Sequence, residues 1–464
     1  MREARMPQGA RWRTRHQVIF VIALVVGVTA FLAIAAVGHA FFDLKVYYGA
    51  MRHWVIDDGQ LYDWLKPNSK YGFTYPPFAA LIMLPMAYVP WLAAIVISVT
   101  ASVVTSALLL WWLVDPIARR VGWTRWFALA IALCLAAAFE PMRETVDFGQ
   151  VNMLLLFLVG ADLLRLVGRG SRWGGVGIGL ATAIKLTPGV FIIYLLVTGR
   201  WRAAVTAMGT AAAATLFAGA VAPNESRTFW TEALWNTDRV GELTFISNQS
   251  LRGVVARLNP SEPSTLAWLA LVVVVVAVWA WRCRAAVAAG DEATGLALTG
   301  VLGCLVSPVT WVHHLVWLLP ALVLLVDNAY AAPARSRRRR WLLAGAVVAY
   351  GFLISRIVWI WEWDFGGVSG FLGSNVYVWI SLALLALPIR RWSPLDDRIG
   401  SGGGAARPVD GPGTVDRPDV GDRSSATGGG QGAEPGGIAQ LDQPHRRPSP
   451  RPLKSEHRPV PVGR

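Results

Sequence analysis

Apolar runs long enough to cross a bilayer recur along most of this chain, and nothing else in the sequence limits its fold so strongly. They begin at Val18 and continue to about residue 389, which argues for an all-α polytopic membrane protein. The composition agrees. Of 464 residues 54% are hydrophobic and only 16% charged, too few charges for a soluble domain of this size. Several of the 23 Trp sit near span ends (Trp111, Trp112, Trp359, Trp361, Trp363), as interfacial anchors do. The formal charge of +14 does not argue for nucleic-acid binding, because the Arg residues lie in short loops and in the tail. Cys134, Cys283 and Cys304 fall in or beside apolar runs and show neither metal-ligand spacing nor a disulfide framework.

Charge sets the expected topology. Five Arg residues before residue 16 place the N-terminus (1–17) in the cytoplasm, and the run 18–38, too long for a signal h-region, reads as a retained first span. An outer loop follows over 39–75, then a short interfacial segment over 79–89. Further spans are expected over 91–113, 126–139, 151–167, 203–222, 264–281, 294–306, 315–331, 341–358 and 376–389. The stretch 173–198 has basic residues at both ends, so it reads as two short helices broken at Pro188 rather than one crossing. About twelve crossings result, with both termini inside and a membrane domain over 18–392. From 393 to 464 the chain is rich in Gly, Pro, Arg and Asp and reads as a disordered cytoplasmic tail.

This topology places on the outer face nearly every acidic or His residue that lies outside the tail and away from the Arg clusters, as an active-site cavity would. They are Asp43, Asp57, Asp58, Asp63, Glu140, Glu144, Asp147, Glu225, Glu232, Asp238, Glu242, His313, His314, Glu362 and Asp364. Asp43 stands just past the first span, where a low-dielectric surface raises a carboxyl toward general-base range; otherwise it is a solvated acid flanking a helix end. Of the neighbours His313 and His314, side chains on a helix point about 100° apart, so one more easily faces a cavity. Gln150 and Asn152 open a span and either bond sugar hydroxyls or cap and glue helices. Lys185 lies inside an apolar stretch, where an ammonium needs an anion such as phosphate, unless it snorkels. Arg143, Arg239, Arg252 and Arg356 are outward-side cations able to hold a lipid phosphate, although Arg143 has Glu140 and Glu144 as nearby partners. Asn248 leads into the span near 264 with Gln249 and Ser250. No P-loop or Rossmann glycine cradle is present, so a sugar donor is expected to be membrane-borne rather than a nucleotide sugar.

Read in order, Asp43-Leu-Lys-Val-Tyr-Tyr48, Leu61-Tyr62, Phe73-Thr-Tyr-Pro-Pro-Phe78, Phe148-Gly-Gln-Val-Asn152, Ile184-Lys-Leu-Thr-Pro188, Asn248-Gln-Ser-Leu251 and Ser307-Pro-Val-Thr-Trp-Val-His-His314 form a pattern that resembles glycosyltransferase family 87. The resemblance covers about 40–392. It implies a GT-C-like bundle with an outward cavity, a polyprenyl-phosphate-mannose donor, a phosphatidylinositol mannoside or lipomannan acceptor, and an inverting α-1,2 transfer without metal or cofactor. It also implies that Asp43 is the base, that His313 or His314 lies by the donor phosphate with Lys185 and an outward Arg, and that Tyr47, Tyr48, Tyr62 and Tyr75 contact sugar rings. Two alternatives remain at this stage. One is an arabinofuranosyltransferase of the same fold; the other is a transporter of polyprenyl-linked sugar, which calls for inverted repeats with paired broken helices.

Overall fold

The computed structural model describes residues 14–35, 38–236 and 241–387. The expectations for the N-terminal stretch before residue 14, for Asp238, Arg239 and for the tail 393–464 lie outside the described residues. Among those described, the chain is helical, and one isolated bridge between Leu65 and Gly72 is the β pairing seen.

The helices run in chain order as α1 (Thr14–Ile34), α2 (Phe42–Val55), α3 (Pro77–Met83), α4 (Trp91–Val121), α5 (Arg125–Ala138), α6 (Glu140–Phe148), α7 (Asn152–Ala161), α8 (Val176–Ile184) and α9 (Val190–Val197). The second half holds α10 (Trp201–Val221), α11 (Pro223–Thr228), α12 (Leu251–Leu258), α13 (Thr265–Ala288), α14 (Glu292–Val306), α15 (Leu319–Ala331), α16 (Arg337–Ser355), α17 (Gly367–Ser374) and α18 (Val376–Ala386).

The packing is that of a protein dissolved in lipid. α1 is apolar all round and buries only Gln17, whose Oε1 accepts a 2.8 Å hydrogen bond from the Thr124 hydroxyl at the head of α5. Large apolar side chains stand exposed along α1, α10 and α13, including Val26, Leu216 and Val273. Water would not tolerate such a surface; hydrocarbon does. The interior, by contrast, carries polar groups: Glu140, Asn152, Asn248 and Thr299 are each at most 1% exposed. α14 is buried along nearly its whole length and forms the axis against which α13, α15 and α18 pack. The chain is a multi-pass membrane protein.

Among the described residues, five segments are long and apolar enough to cross a membrane (α1, α4, α10, α13 and Val312–Ala331), or seven if the bent pairs α5–α6 and α17–α18 each count as one. Helix length alone therefore does not give twelve crossings. Polar breaks shorten the others. α7 stops at ten residues, where Asp162 enters a π-turn and its carboxylate accepts backbone N–H bonds from Gly175 and Ile178 at 2.8–3.0 Å. The expected break near Pro188 is present: α8 ends at Lys185, whose backbone is extended, and a 3-10 turn over Thr187–Gly189 leads into α9. α14 ends at Ser307-Pro308, and a 3-10 turn over Val312–Leu318 carries both neighbouring histidines into α15.

Several segments read as outer loop are helices, α2 and α6 among them. α2 buries Leu44, Tyr47 and Met51, an i, i+3, i+7 stripe within an otherwise polar sequence. α6 turns 70° from α5 at Phe139 and buries Glu140 and Glu144 against the core. Burial of acids, rather than of apolar residues, is why hydropathy missed it.

Candidate active site

α2 begins with a sharp turn. Ala40 and Phe41 both take left-handed backbone, with φ of 51° and 56°, which side chains other than glycine rarely adopt. The Phe41 N–H donates to the Asp147 carbonyl at 2.8 Å, and the His39 N–H to the Asp147 carboxylate at 2.8 Å. This turn is pinned to α6 and puts Asp43 in the first turn of α2, partly exposed. Gly149, at φ 72°, caps α6 in the left-handed conformation and brings Gln150 back over α2.

The Gln150 amide then spans two partners. Its Nε2 donates to Asp43 Oδ2 at 2.6 Å, and its Oε1 accepts from the Tyr75 hydroxyl at 2.9 Å. The Tyr47 and Tyr75 hydroxyls lie 2.9 Å apart; since Tyr75 gives its proton to Gln150, Tyr47 donates. Tyr75 is fixed because Pro76 and Pro77 start α3 immediately after it. Burial lifts the Asp43 carboxyl up to about 6, against the opposing pull of the Gln150 hydrogen bond and the Lys185 charge.

Lys185 joins the other side of this network. Its Nζ lies 3.4 Å from the Tyr75 hydroxyl and 3.2 Å from Asn152 Oδ1, donating to both, and 3.1 Å from His314 Nε2. The imidazole is set by the backbone: the Trp311 N–H donates to His314 Nδ1 at 3.1 Å, so the neutral ring carries its proton on Nε2. A charged Lys185 and His314 Nε2–H are then two donors facing one another with no acceptor between them. Such a pair is suited to an anionic oxygen.

The histidine pair divides its work. His314 faces Lys185. His313 lies beside Phe148, and its carbonyl accepts from the Thr145 hydroxyl at 2.9 Å and from Asn152 Nδ2 at 3.1 Å. Thr145 was not singled out by the sequence reading; it is a small residue of α6 whose role depends on a partner 168 positions away.

Other expected site residues stand elsewhere. Asn248 commits its whole amide to backbone: Nδ2 donates to the Leu243 and Pro308 carbonyls, and Oδ1 accepts from the Thr310 N–H at 3.0 Å. With Gln249 and Ser250, bonded to Thr310 and Pro308, it brackets the loop that leads to the histidines. Arg252 is not drawn into the cluster. It donates to the Thr265 hydroxyl at 3.1 Å and lies over the Trp268 ring, tying α12 to α13. The Tyr48 and Tyr62 hydroxyls donate to the carbonyls of Val89 and Tyr75. Arg356, rather than Arg143, pairs with Glu140 and Glu144, while Arg143 donates to the Ala35 and Ile354 carbonyls. Asp57, Asp58, Asp63 and Asp364 stay exposed and do not converge with Asp43.

An apolar cavity of about 230 Å³ adjoins the network between α3, α4 and α7, with Leu44, Tyr47 and Gln150 in its wall. The site thus joins a partly exposed carboxylate of raised basicity, a two-donor seat for an anion, and an apolar slot.

The family model of glycosyltransferase family 87 matches residues 73–308. The polyprenol-phosphate-mannose-dependent alpha-(1-2)-phosphatidylinositol mannoside mannosyltransferase of Mycolicibacterium smegmatis is 35% identical over 342 residues, covering 68% of this chain and 74% of that protein. The corresponding phosphatidylinositol pentamannoside mannosyltransferase of Mycobacterium tuberculosis is 32% identical over 357 residues, covering 74% and 78%. An alpha-(1->3)-arabinofuranosyltransferase of Corynebacterium glutamicum is 28% identical over 192 residues, covering 39% and 42%. No solved structure matches the chain. The family model spans half of the chain and the long alignments about two thirds of it or more, and the chain belongs to glycosyltransferase family 87.

Proposed function

We propose that this glycosyltransferase moves mannose from polyprenyl-phosphate-mannose to a hydroxyl of a phosphatidylinositol mannoside or of lipomannan, forming an α-1,2 linkage with inversion. The observation that carries the reading is the placement of Asp43 across Gln150 and Tyr75 from the Lys185–His314 pair. An inverting transfer needs one base at the acceptor hydroxyl and positive charge at the departing phosphate, and this network offers one of each. The names of the mycobacterial relatives support the donor and acceptor.

In this reading Asp43 takes the proton of the acceptor hydroxyl as its oxygen attacks the anomeric carbon. The bond from that carbon to the phosphate oxygen breaks, and the lipid phosphate leaves with its electron pair. Lys185 Nζ and His314 Nε2–H receive the phosphate charge. Tyr47, Tyr75, Gln150 and Asn152 line the sugar subsite and hold the base and the ammonium in register. Asn248 acts at a distance by fixing the loop before His314, and Arg252 has no part in the chemistry. The cavity beside Gln150 takes the first isoprene units of the donor. The site opens to the outer face of a plasma membrane that the chain crosses about twelve times, its shorter apolar helices included, with both termini inside.

The arabinofuranosyl donor remains as a second reading because a family relative bears that name. Membership of a glycosyltransferase family removes the reason to prefer a transporter. The test is transfer from radiolabelled polyprenyl-phosphate-mannose to phosphatidylinositol mannosides in membranes holding wild type or Asp43→Ala. Transfer by wild type, lost in the well-expressed variant, supports donor and base together. Equal transfer by both removes Asp43 from the chemistry, and transfer by neither moves the weight to the arabinose donor.

A further inference from the structure

A second and larger cavity, of about 590 Å³, lies between α1, α4, α5 and α6 and shares Ser102 of α4 with the first. Most of its wall is apolar, with Leu32, Leu133 and Ala137 among the lining side chains. Val103 of α4 lines it and is also 55% exposed, so the cavity opens sideways to the lipid-facing surface beside α1. Its inner end is different. His39, Arg143, Glu144, Asp147 and Arg356 meet there. Two of their nitrogens, His39 Nε2 and Arg143 Nε, are buried without a hydrogen-bond partner. His39 Nε2 stands 3.9 Å from Glu144 Oε1, too far for a direct bond. Buried polar atoms left unpaired are costly, so a site that keeps two at the end of an accessible cavity is built for something that fills it.

We propose that this cavity seats the acceptor glycolipid, with an acyl chain along the apolar wall and the hydroxyl-rich headgroup on His39, Arg143, Glu144 and Asp147. The assignment rests on the glycosyl-transfer reading above and adds where the acceptor sits. Charge separates the two lipid substrates. At this end Arg356 pairs with Glu140 and Glu144, and Arg143 donates to the Ala35 and Ile354 carbonyls, so both cations are committed to protein acceptors rather than to a departing phosphate. A mixed set of donors and acceptors is instead what sugar hydroxyls bond to. By contrast, the Lys185 ammonium lies with His314 and Asn152, and Asp43 is the anion acting on it. The phosphate belongs there. Phe41 lines the acceptor cavity two residues before Asp43, and Asp147 three residues before Gln150, so the headgroup end leads to the base. Asp43 then stands where the two lipids meet.

Photolabelling of the full-length protein in nanodiscs tests this without relying on turnover. The probes are phosphatidylinositol dimannoside carrying a diazirine on one acyl chain, and polyprenyl phosphate carrying one on its chain. The expected result is that the mannoside probe labels α1, α4 and α5 around Leu32, Val103 and Ala137, and that Ala137→Phe cuts this labelling at least about tenfold in monodisperse protein. In mannosyl transfer, Ala137→Phe and His39→Ala raise the acceptor KM by about tenfold with the donor KM unmoved, and His39→Gln recovers most of the loss. Mannoside labelling elsewhere on the wild type, labelling of this cavity by the polyprenyl probe instead, or a rise in donor KM alone overturns the proposal. Labelling as expected without any mannose transfer keeps the cavity and sinks the mannosyl reading; transfer with an unmoved acceptor KM does the reverse.

Discussion

Replacing Gln150 by methionine removes one short hydrogen bond to the proposed base and changes side-chain volume little. The amide donates to Asp43 Oδ2 at 2.6 Å and holds down a carboxyl that burial has lifted up to about 6. A hydrogen bond to an ionised partner contributes about 1.5–3 kcal/mol. Since about 1.4 kcal/mol corresponds to one pH unit, losing it moves the Asp43 titration up by about 1–2 units. The sign follows from which form reacts. The base acts as carboxylate, so activity is present above its pKa and lost as pH falls through it. Wild type should show an acidic limb in kcat/KM near pH 6. In Gln150→Met the limb moves to roughly pH 7–8, and the ionised fraction at pH 7 falls from about nine-tenths to between about a half and a tenth. Water entering the vacated side would bring the effect toward the smaller figure. The assay is the pH profile of mannosyl transfer in detergent or nanodiscs from pH 5 to 9.5. Activity recovering at pH 9 is the expected outcome. A loss of constant proportion across the range, with the acidic limb unmoved, refutes the argument that Gln150 tunes Asp43.

Three further predictions address separate parts of the site. Lys185→Met should lower kcat/KM for the donor by about 10²–10³, as loss of a charged donor at a developing anion does, and steady-state rates that hold within twofold would contradict a phosphate role. Asn248→Ala strands the Thr310 N–H and should cost about 1–3 kcal/mol of stability, seen as a lower thermal midpoint; a normal midpoint with lost turnover would instead place Asn248 in the chemistry. Gly149→Ala forces a side chain into backbone at φ 72° and puts its Cβ 2.5 Å from Leu44 Cβ. The backbone alone costs about 1–2 kcal/mol, and the displaced α2 should cut activity in the protein that still folds, which transfer assays normalised to monodisperse protein will measure.

The sequence by itself determined the membrane class, the break at Lys185–Pro188 and most of the residue set around Asp43. Those features are local. Hydropathy adds along a segment, a proline acts on its own turn, and an ammonium in an apolar run needs a partner wherever it folds. What it left open were matters of pairing. Only the tertiary structure decided that Gln150 bridges Asp43 to Tyr75, partners 107 and 75 residues away. It assigned His314 rather than His313 to Lys185, because a backbone N–H at Trp311 fixes the ring, and no side-chain pattern reports that bond. It also turned Asn248 and Arg252 from expected ligands into braces, and drew α2 and α6 as helices where their buried acids and mixed polarity had read as loop. A polar side chain in a membrane protein satisfies itself with whichever group lies within about 3 Å, and that distance is set by helices meeting from far along the chain.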